Sequence, residues 1–338
     1  MKILIIRFSS IGDIVLTTPV VRCAKQQLPE AEVHYLTKRA YKPLVEHNPF
    51  IDKTHFFEDD LSAVTEKLKE EKFDHVIDLH HNLRTWRVKK TLNVNSYSFP
   101  KLNLKKWLLV HFKINLMPDE SIVERYFQAI ASLGVVNDHK GLDYFIPDDV
   151  KIENKDIPVS HWAGYTGCVI GGSYFTKKLP VEQWKKLCAS IPYPVILLGG
   201  AEDKIEGQKI ASIDPVKIYN ACGKFNLHES AWLVKHARLI ISNDTGMMHI
   251  AAAFKKPIIS FWGNTSPEMG MFPYYEKNNV NSNPDFRSFL VEKRKLYCHP
   301  CSKIGYNSCP EGHFRCMKEL NMNEVSERTT IFWKSPNQ

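Results

Sequence analysis

Four short stretches of this sequence combine polar side chains with glycine in patterns that could do chemistry. In Ser242-Asn243-Asp244-Thr245-Gly246-Met247-Met248-His249, small polar residues and a glycine stand directly before a small-residue helical pattern. A helix start offers unpaired N–H groups and a positive dipole end, so it can hold a diphosphate without a metal. Gly246 and Met247 lie where such a ligand would approach, Thr245 adds a hydroxyl, and His249 follows one turn in. The same residues also suit a plain helix start, capped by Asp244 or Thr245, with His249 in the core. Gly171-Gly172-Ser173-Tyr174-Phe175-Thr176-Lys177-Lys178-Leu179-Pro180 suggests a second anion-binding loop, although it lacks the spacing of a Walker loop. Ser9-Ser10-Ile11-Gly12-Asp13 sets a carboxylate after a strand, where it could accept a proton from an attacking hydroxyl or simply cap a helix. It lacks G-x-G-x-x-G, which argues against a dinucleotide. Asp78-Leu79-His80-His81-Asn82-Leu83-Arg84-Thr85 loads another strand end with groups able to bind a polar, anionic ligand. Its two histidines are adjacent rather than one helical turn apart, a poor spacing for a metal.

A fifth group is the run Cys298-His299-Pro300-Cys301 with Cys309 and Cys316 beyond it. Paired cysteines followed by two more fit a structural zinc in a reducing compartment, where disulfides are disfavoured. Reduced packing cysteines are the alternative. Cys23, Cys168, Cys188 and Cys222 are scattered and read as small core residues.

The elements that must position these groups follow from the apolar pattern. Met1–Arg7 reads as a buried first strand, followed by a helical pattern through Val15, Leu16, Pro19, Val20, Val21 and Ala24. Further strands are expected at Glu32–Thr37, His75–Leu79 and Ser96–Phe99, with a helix at Leu61–Lys72 between them. After a linker over 146–160 the alternation resumes, with strands at Gly167–Gly171, Pro194–Leu198, Val216–Tyr219, Leu239–Ser242 and Pro257–Trp262. Helices are expected at Val181–Ser190, 202–212, His228–His236 and Met247–Phe254. Short apolar strands alternating with helices indicate parallel sheets covered on both faces. Two such arrays imply two Rossmann-like domains facing one another across a cleft, with ligands at the carboxyl ends of the strands.

Bulk properties bound the partners. At 338 residues the chain has room for two cores, and 43% hydrophobic with 24% charged residues is ordinary for a globular protein. No window has the apolar length of a membrane span, and the amino-terminal run is too short for a signal sequence, so a cytoplasmic protein is expected. The net charge of +8 favours polyanionic partners, and Arg84, Arg87, Lys89, Lys90, Lys101, Lys105, Lys106 and Lys113 are concentrated in one stretch. Trp107-Leu108-Leu109-Val110 among these lysines reads first as a packed amphipathic helix, and second as a peripheral contact with the inner face of a membrane.

Taken together, the motifs resemble glycosyltransferase family 9, the heptosyltransferases of lipopolysaccharide inner-core assembly, in order and over nearly the whole chain. The resemblance implies an α/β fold of GT-B type, with domains at 1–155 (acceptor-binding) and 156–320 (nucleotide-sugar-binding), and a terminal helix at 321–338 packing back on the first domain. It implies inverting transfer of heptose from ADP-heptose, with no catalytic metal, onto an anionic, lipid-linked glycan. Asp13 takes the place of the proposed catalytic base. Lys177 takes that of the phosphate-binding lysine, Leu179 replacing the usual aromatic residue beyond it. Asp244, Thr245, Gly246, Met247 and His249 match the ADP signature, Asp203 a ribose contact, and Ser10, Gly12, His80, Asn82 and Arg84 the acceptor side. The Cys-rich segment resembles one found in the family and is compatible with structural zinc. A monomer is expected. Two other readings are a nucleotide-sugar epimerase of the same architecture, and a nucleic-acid-binding protein. The latter would leave both strand–helix arrays without a purpose, so nucleic acid is not expected as a partner.

Overall fold

The computed structural model describes all residues except 154, 277–286, 294 and 336–338. Its two parallel sheets arise because the central strands are apolar runs buried on both faces, with more polar, partly exposed strands at the edges. The first sheet contains β1 (Lys2–Ile6), β2 (Glu32–Lys38), β3 (Lys53–Phe57), β4 (His75–Asp78) and β5 (Asn95–Ser98), in the order β3-β2-β1-β4-β5. The second contains β6 (Thr166–Val169), β7 (Val195–Leu198), β8 (Ile218–Asn220), β9 (Leu239–Asn243), β10 (Ile258–Trp262) and β11 (Ser288–Glu292), in the order β11-β10-β9-β6-β7-β8. Edge strands β3 and β11 were not foreseen from the sequence; the other nine lie within one or two residues of expectation.

Each sheet grows outwards in two directions from a central pair. The reversals fall between β1 and β4 and between β6 and β9, the switch points where parallel sheets leave a crevice at their carboxyl ends. Register then decides which loops become neighbours. Ile6 pairs with Asp78 across β1 and β4, so the chain after Arg7 emerges beside the chain after Leu79. Val169 pairs with Ser242 across β6 and β9, so Gly171-Gly172 emerges beside Asn243–Gly246.

The chain forms two compact units. One holds Met1–Lys101 and Glu120–Phe145, together with Tyr274 and Tyr275; the other holds Leu102–Asp119, Ile146–Pro273 and the carboxyl-terminal residues. The first core gathers Leu4, Ile6, Phe8, Leu36, Val76 and Val88. In the second, the Trp184 ring meets the Phe261 ring edge-on, with centroids 5.6 Å apart.

Three expectations are corrected. The helical pattern after β1 is two helices, Ile11–Val15 and Thr18–Gln27, because Pro19 belongs in a first turn, where its missing N–H costs nothing. The helix Met322–Lys334, expected with the first domain, belongs to the second unit, packing on the helix Val181–Ser190 and on β9. Val325 and Phe332 enter the second core, and the Trp333 ring stacks on Tyr193 at 4.0 Å. Finally, residues 102–119 belong with the second unit, and the helix Asn103–Phe112 is not a packed amphipathic helix, since only Leu109 along it is buried. Among the described residues no helix is long and apolar enough to cross a membrane.

If the terminal helix belongs to the second core, Phe332→Ala should cost about 3–5 kcal/mol of that unit's stability. Urea unfolding followed by tryptophan fluorescence measures this, and an unchanged midpoint would contradict the placement.

Candidate functional site

In the first unit the loop after β1 is organised by Arg7. Its Nε donates to the Ser9 carbonyl at 2.8 Å, and its Nη1 to the Leu79 carbonyl at 2.5 Å, tying the two strand-end loops together. Its Nη2 lies 2.5 Å from Asp13 Oδ1. The other carboxylate oxygen, Oδ2, accepts from the Ser10 amide at 3.1 Å and the Ser10 hydroxyl at 2.8 Å. Burial alone would push the Asp13 carboxyl up, but the Arg7 guanidinium and the two Ser10 donors outweigh it and hold it below the usual carboxylate range. Asp13 is thus a fixed anion with one-fifth of its side chain exposed. Gly12 is buried in the short helix that carries Asp13.

The loop after β4 is built on Asp78, which is fully buried. Its Oδ1 accepts from the amides of His80 at 3.1 Å and His81 at 2.6 Å, while Lys89 Nζ sits 2.9 Å from its Oδ2. The His80 ring lies tilted against Phe8, with centroids 4.9 Å apart, and Arg84 lies over the same ring at 5.4 Å. Asp13, His80 and Arg84 are therefore gathered around Arg7 and Phe8. Burial, reinforced by Arg7 and Lys101, pushes the His80 imidazole down to about 3, so it is neutral at physiological pH and serves as a hydrogen-bonding group, not as a cation. Asn82 needs revision. Its side-chain oxygen accepts from the Arg84 and Thr85 amides at 2.9 and 3.0 Å, so it caps the helix Leu83–Leu92 rather than reaching outwards.

In the second unit the equivalent organiser is Asn243. Its amide nitrogen donates to the Ile170 and Gly171 carbonyls at 2.9 and 3.1 Å, and its oxygen accepts from the Leu179 amide at 3.0 Å. This stitches both ends of the Lys177 loop to β9. Asp244 Oδ2 lies 2.6 Å from Lys177 Nζ and accepts from the Thr265 hydroxyl at 2.9 Å. Thr245 is the residue before the helix Gly246–Ala253, and its hydroxyl does not cap it. Thr245, Gly246 and Met247 are partly exposed, whereas His249 is buried, 2% exposed. An ammonium group and a helix start thus share one strand end, which suits a diphosphate.

Asp203, expected to reach a ribose, turns inwards instead and is 1% exposed. Its Oδ1 accepts from Lys178 Nζ at 2.7 Å and its Oδ2 from the Gly200 amide at 3.0 Å. The glycine pairs make room for it: a Cβ on Gly171 would stand 2.5 Å from Asp203 Oδ2, and one on Gly199 would stand 2.8 Å away. Burial opposes the Lys178 ammonium, but Asp203 and Glu206, 2.7 and 2.9 Å away, raise its pKa above the ordinary value. Gly171 therefore serves the interior; Gly172, whose added Cβ would meet Lys178 and Thr245, faces the candidate site.

The Cys-rich segment braces the same loops. Thr176 and Tyr306 exchange bonds, amide to carbonyl at 3.1 Å and amide to hydroxyl at 2.8 Å. His299 Nε2 lies 3.1 Å from the carbonyl of Thr265, the residue that steadies Asp244. Burial, with one another's proximity adding to it, pushes Cys301 up to about 11 and Cys316 to about 12. Cys298 Sγ is 3.8 Å from His313 Nε2; among the described residues no group of ligand atoms close enough to share a metal includes a cysteine. Arg7, Asp78 and Asn243 stand in or next to the quoted motifs but were given no role, because burial and the loops they tie together depend on contacts distant in sequence.

The model for glycosyltransferase family 9 (heptosyltransferase) matches residues 61–296. Lipopolysaccharide heptosyltransferase 1 of Campylobacter coli is 26% identical over 324 residues, covering 88% of this chain and 92% of the relative. Lipooligosaccharide heptosyltransferase 2 of Haemophilus influenzae is 25% identical over 293 residues, covering 79% and 85%. Among solved structures, ADP-heptose lps heptosyltransferase II of E. coli superposes with a TM-score of 0.73 at 18% identity, covering 98% of each chain, and so shares the fold.

Arg7→Gln should relieve the depression of Asp13. Because the ionised carboxylate is the active form of a base, activity is lost as pH falls through its pKa, and the variant should lose activity at a higher pH than the parent. A pH profile of kcat/KM measures this; an acid limb that stays in place would contradict the coupling.

Proposed function

The chain belongs to glycosyltransferase family 9, and from that premise we propose that it transfers heptose, with inversion, from ADP-heptose to an anionic, lipid-linked inner-core acceptor of lipopolysaccharide. The observation that carries the donor assignment is the Lys177–Asp244 ion pair at the start of the helix Gly246–Ala253. Lys177 and the helix N–H groups neutralise the diphosphate as it leaves, and they require no metal there. Preoriented donors of this kind act where charge develops, so Lys177→Ala should lower kcat by about a hundredfold or more.

Asp13 is the general base. Held ionised by Arg7, it receives the proton of the acceptor hydroxyl as that oxygen attacks the anomeric carbon opposite ADP. His80 and Arg84 contribute a neutral hydrogen-bonding group and a cation to the acceptor. The expected result for Asp13→Asn is near-normal ADP-heptose binding, read by calorimetry, with kcat reduced about 10²–10⁴-fold. Retention of most turnover would remove Asp13 from this role.

We further propose a structural zinc at Cys298, Cys301, Cys309 and Cys316. Burial first, and neighbouring thiols after it, push Cys298, Cys301 and Cys316 up, a set that a soft divalent cation would relieve once it drew the sulfurs together, and the segment's bonds to Thr176 and Thr265 make it a brace for the donor loop. Elemental analysis should find about one zinc per chain, lost in Cys301→Ser; a metal-free protein of full stability would contradict this. The lipid-linked acceptor also implies action at the inner face of the cytoplasmic membrane, with the protein attached peripherally.

A further inference from the structure

The excess of positive charge in this molecule comes from one stretch. Between Asp78 and Asp119 there is no acidic residue, and that interval contains eight lysines and arginines. The whole chain has 45 basic and 37 acidic residues, so outside the interval the two signs balance at 37 each and the net charge of +8 resides entirely within it. A solvated surface would ordinarily mix the signs.

The same interval carries an apolar surface. Along the helix Asn103–Phe112 and the residues after it, Leu104 is 69% exposed, Trp107 46%, Phe112 58%, Ile114 49% and Leu116 52%. On a helix, Leu104, Trp107, Leu108, His111 and Phe112 fall on one side at three- and four-residue spacing, opposite the buried Leu109. Trp107 contacts both His111 and Phe112, with ring centroids 5.1 and 5.2 Å away, so the exposed rings form one cluster. Lys113 fixes the end of the helix, donating to the Cys298 carbonyl at 3.1 Å and the Pro300 carbonyl at 2.7 Å. The apolar side is therefore held by a rigid anchor rather than exposed by fraying. A cluster of large apolar side chains facing water is costly unless something covers it.

We propose that residues 103–116 form a membrane-docking element that lies in the headgroup region of a bilayer containing anionic phospholipid. Leu104, Trp107, Phe112, Ile114 and Leu116 enter the acyl boundary, and Lys105, at the flank of that side of the helix, faces the lipid phosphates. Three observations favour a bilayer over another protein as the occupant: the absence of any carboxylate over 102–118, the tryptophan on the apolar side, and Lys105 at its flank. This deepens the proposed function, on whose lipid-linked acceptor it rests, by naming the surface that brings the enzyme to its substrate. It assigns no catalytic role to these side chains.

The test is sedimentation of the full-length protein with vesicles of phosphatidylethanolamine and phosphatidylglycerol, compared with vesicles of phosphatidylcholine alone. Binding should favour the anionic vesicles, weaken with salt, and fall about tenfold or more in the double variant Trp107→Ser, Phe112→Ser. Brominated lipids should quench the tryptophan fluorescence of the parent more than that of a Trp107→Phe variant. Thermal stabilisation of each variant by ADP shows that its fold and donor site are intact. Absence of anionic-vesicle binding, or binding unchanged in the double variant, overturns the proposal. So does a parent that is dimeric in solution and becomes monomeric in the double variant, since a second copy then covers the surface. Vesicle binding without heptose transfer would sink the proposed activity and leave the docking element standing.

Discussion

An ionised carboxylate at the end of a buried parallel strand needs a partner, because leaving it unpaired there costs several kcal/mol. Both units meet this need with a cation from a neighbouring loop. Asp13 takes Arg7, Asp78 takes Lys89, Asp244 takes Lys177 and Asp203 takes Lys178. Only the Asp244–Lys177 pair spans a switch point, joining the loops after β9 and β6, and there electrostatics finishes the positioning that topology begins; Arg7–Asp13 and Asp78–Lys89 are local, and Asp203–Lys178 joins the ends of the adjacent strands β7 and β6. The pairs also set the chemistry. Asp13 is kept ionised, and Lys177 is held in place before any phosphate arrives, so less side-chain freedom is lost on binding.

Much of this architecture was legible in the residues. Runs such as Ile3–Ile6 and Leu239–Ile241 are buried on both faces and announce themselves by unbroken hydrophobicity. The motifs were legible because they stand at the ends of those runs. Edge strand β3, Lys53-Thr54-His55-Phe56-Phe57, was not, since an edge tolerates polar residues and blurs the pattern.

The misread side chains share one cause: whether a polar atom faces inwards or outwards is decided by contacts distant in sequence. Asp203 follows a glycine pair and looks like a ligand contact, but a space beside Gly171 draws it inwards. Asn82 looks like a binding residue and is consumed as a helix cap. The terminal helix went to the second core because Val325 and Phe332 complete a layer beside β9 and the helix Val181–Ser190, which the helix's own sequence could not reveal. Exposure on the helix Asn103–Phe112 was likewise invisible, because an amphipathic pattern names an apolar side without saying what covers it.

The Cys-rich segment belongs to this account as a support. Tyr306 holds Thr176 and His299 reaches the Thr265 carbonyl, so two residues next to the Lys177–Asp244 pair lean on it.

Heptose transfer is read most directly by mass spectrometry of two inner-core lipid acceptors, one free of heptose and one already carrying a heptose, each incubated with the purified enzyme and ADP-heptose. One of the two acceptors should become heavier by one heptose, with one ADP released for each heptose transferred. ADP-heptose that binds and remains intact with both acceptors unmodified, or that is consumed without enlarging either, would contradict the account.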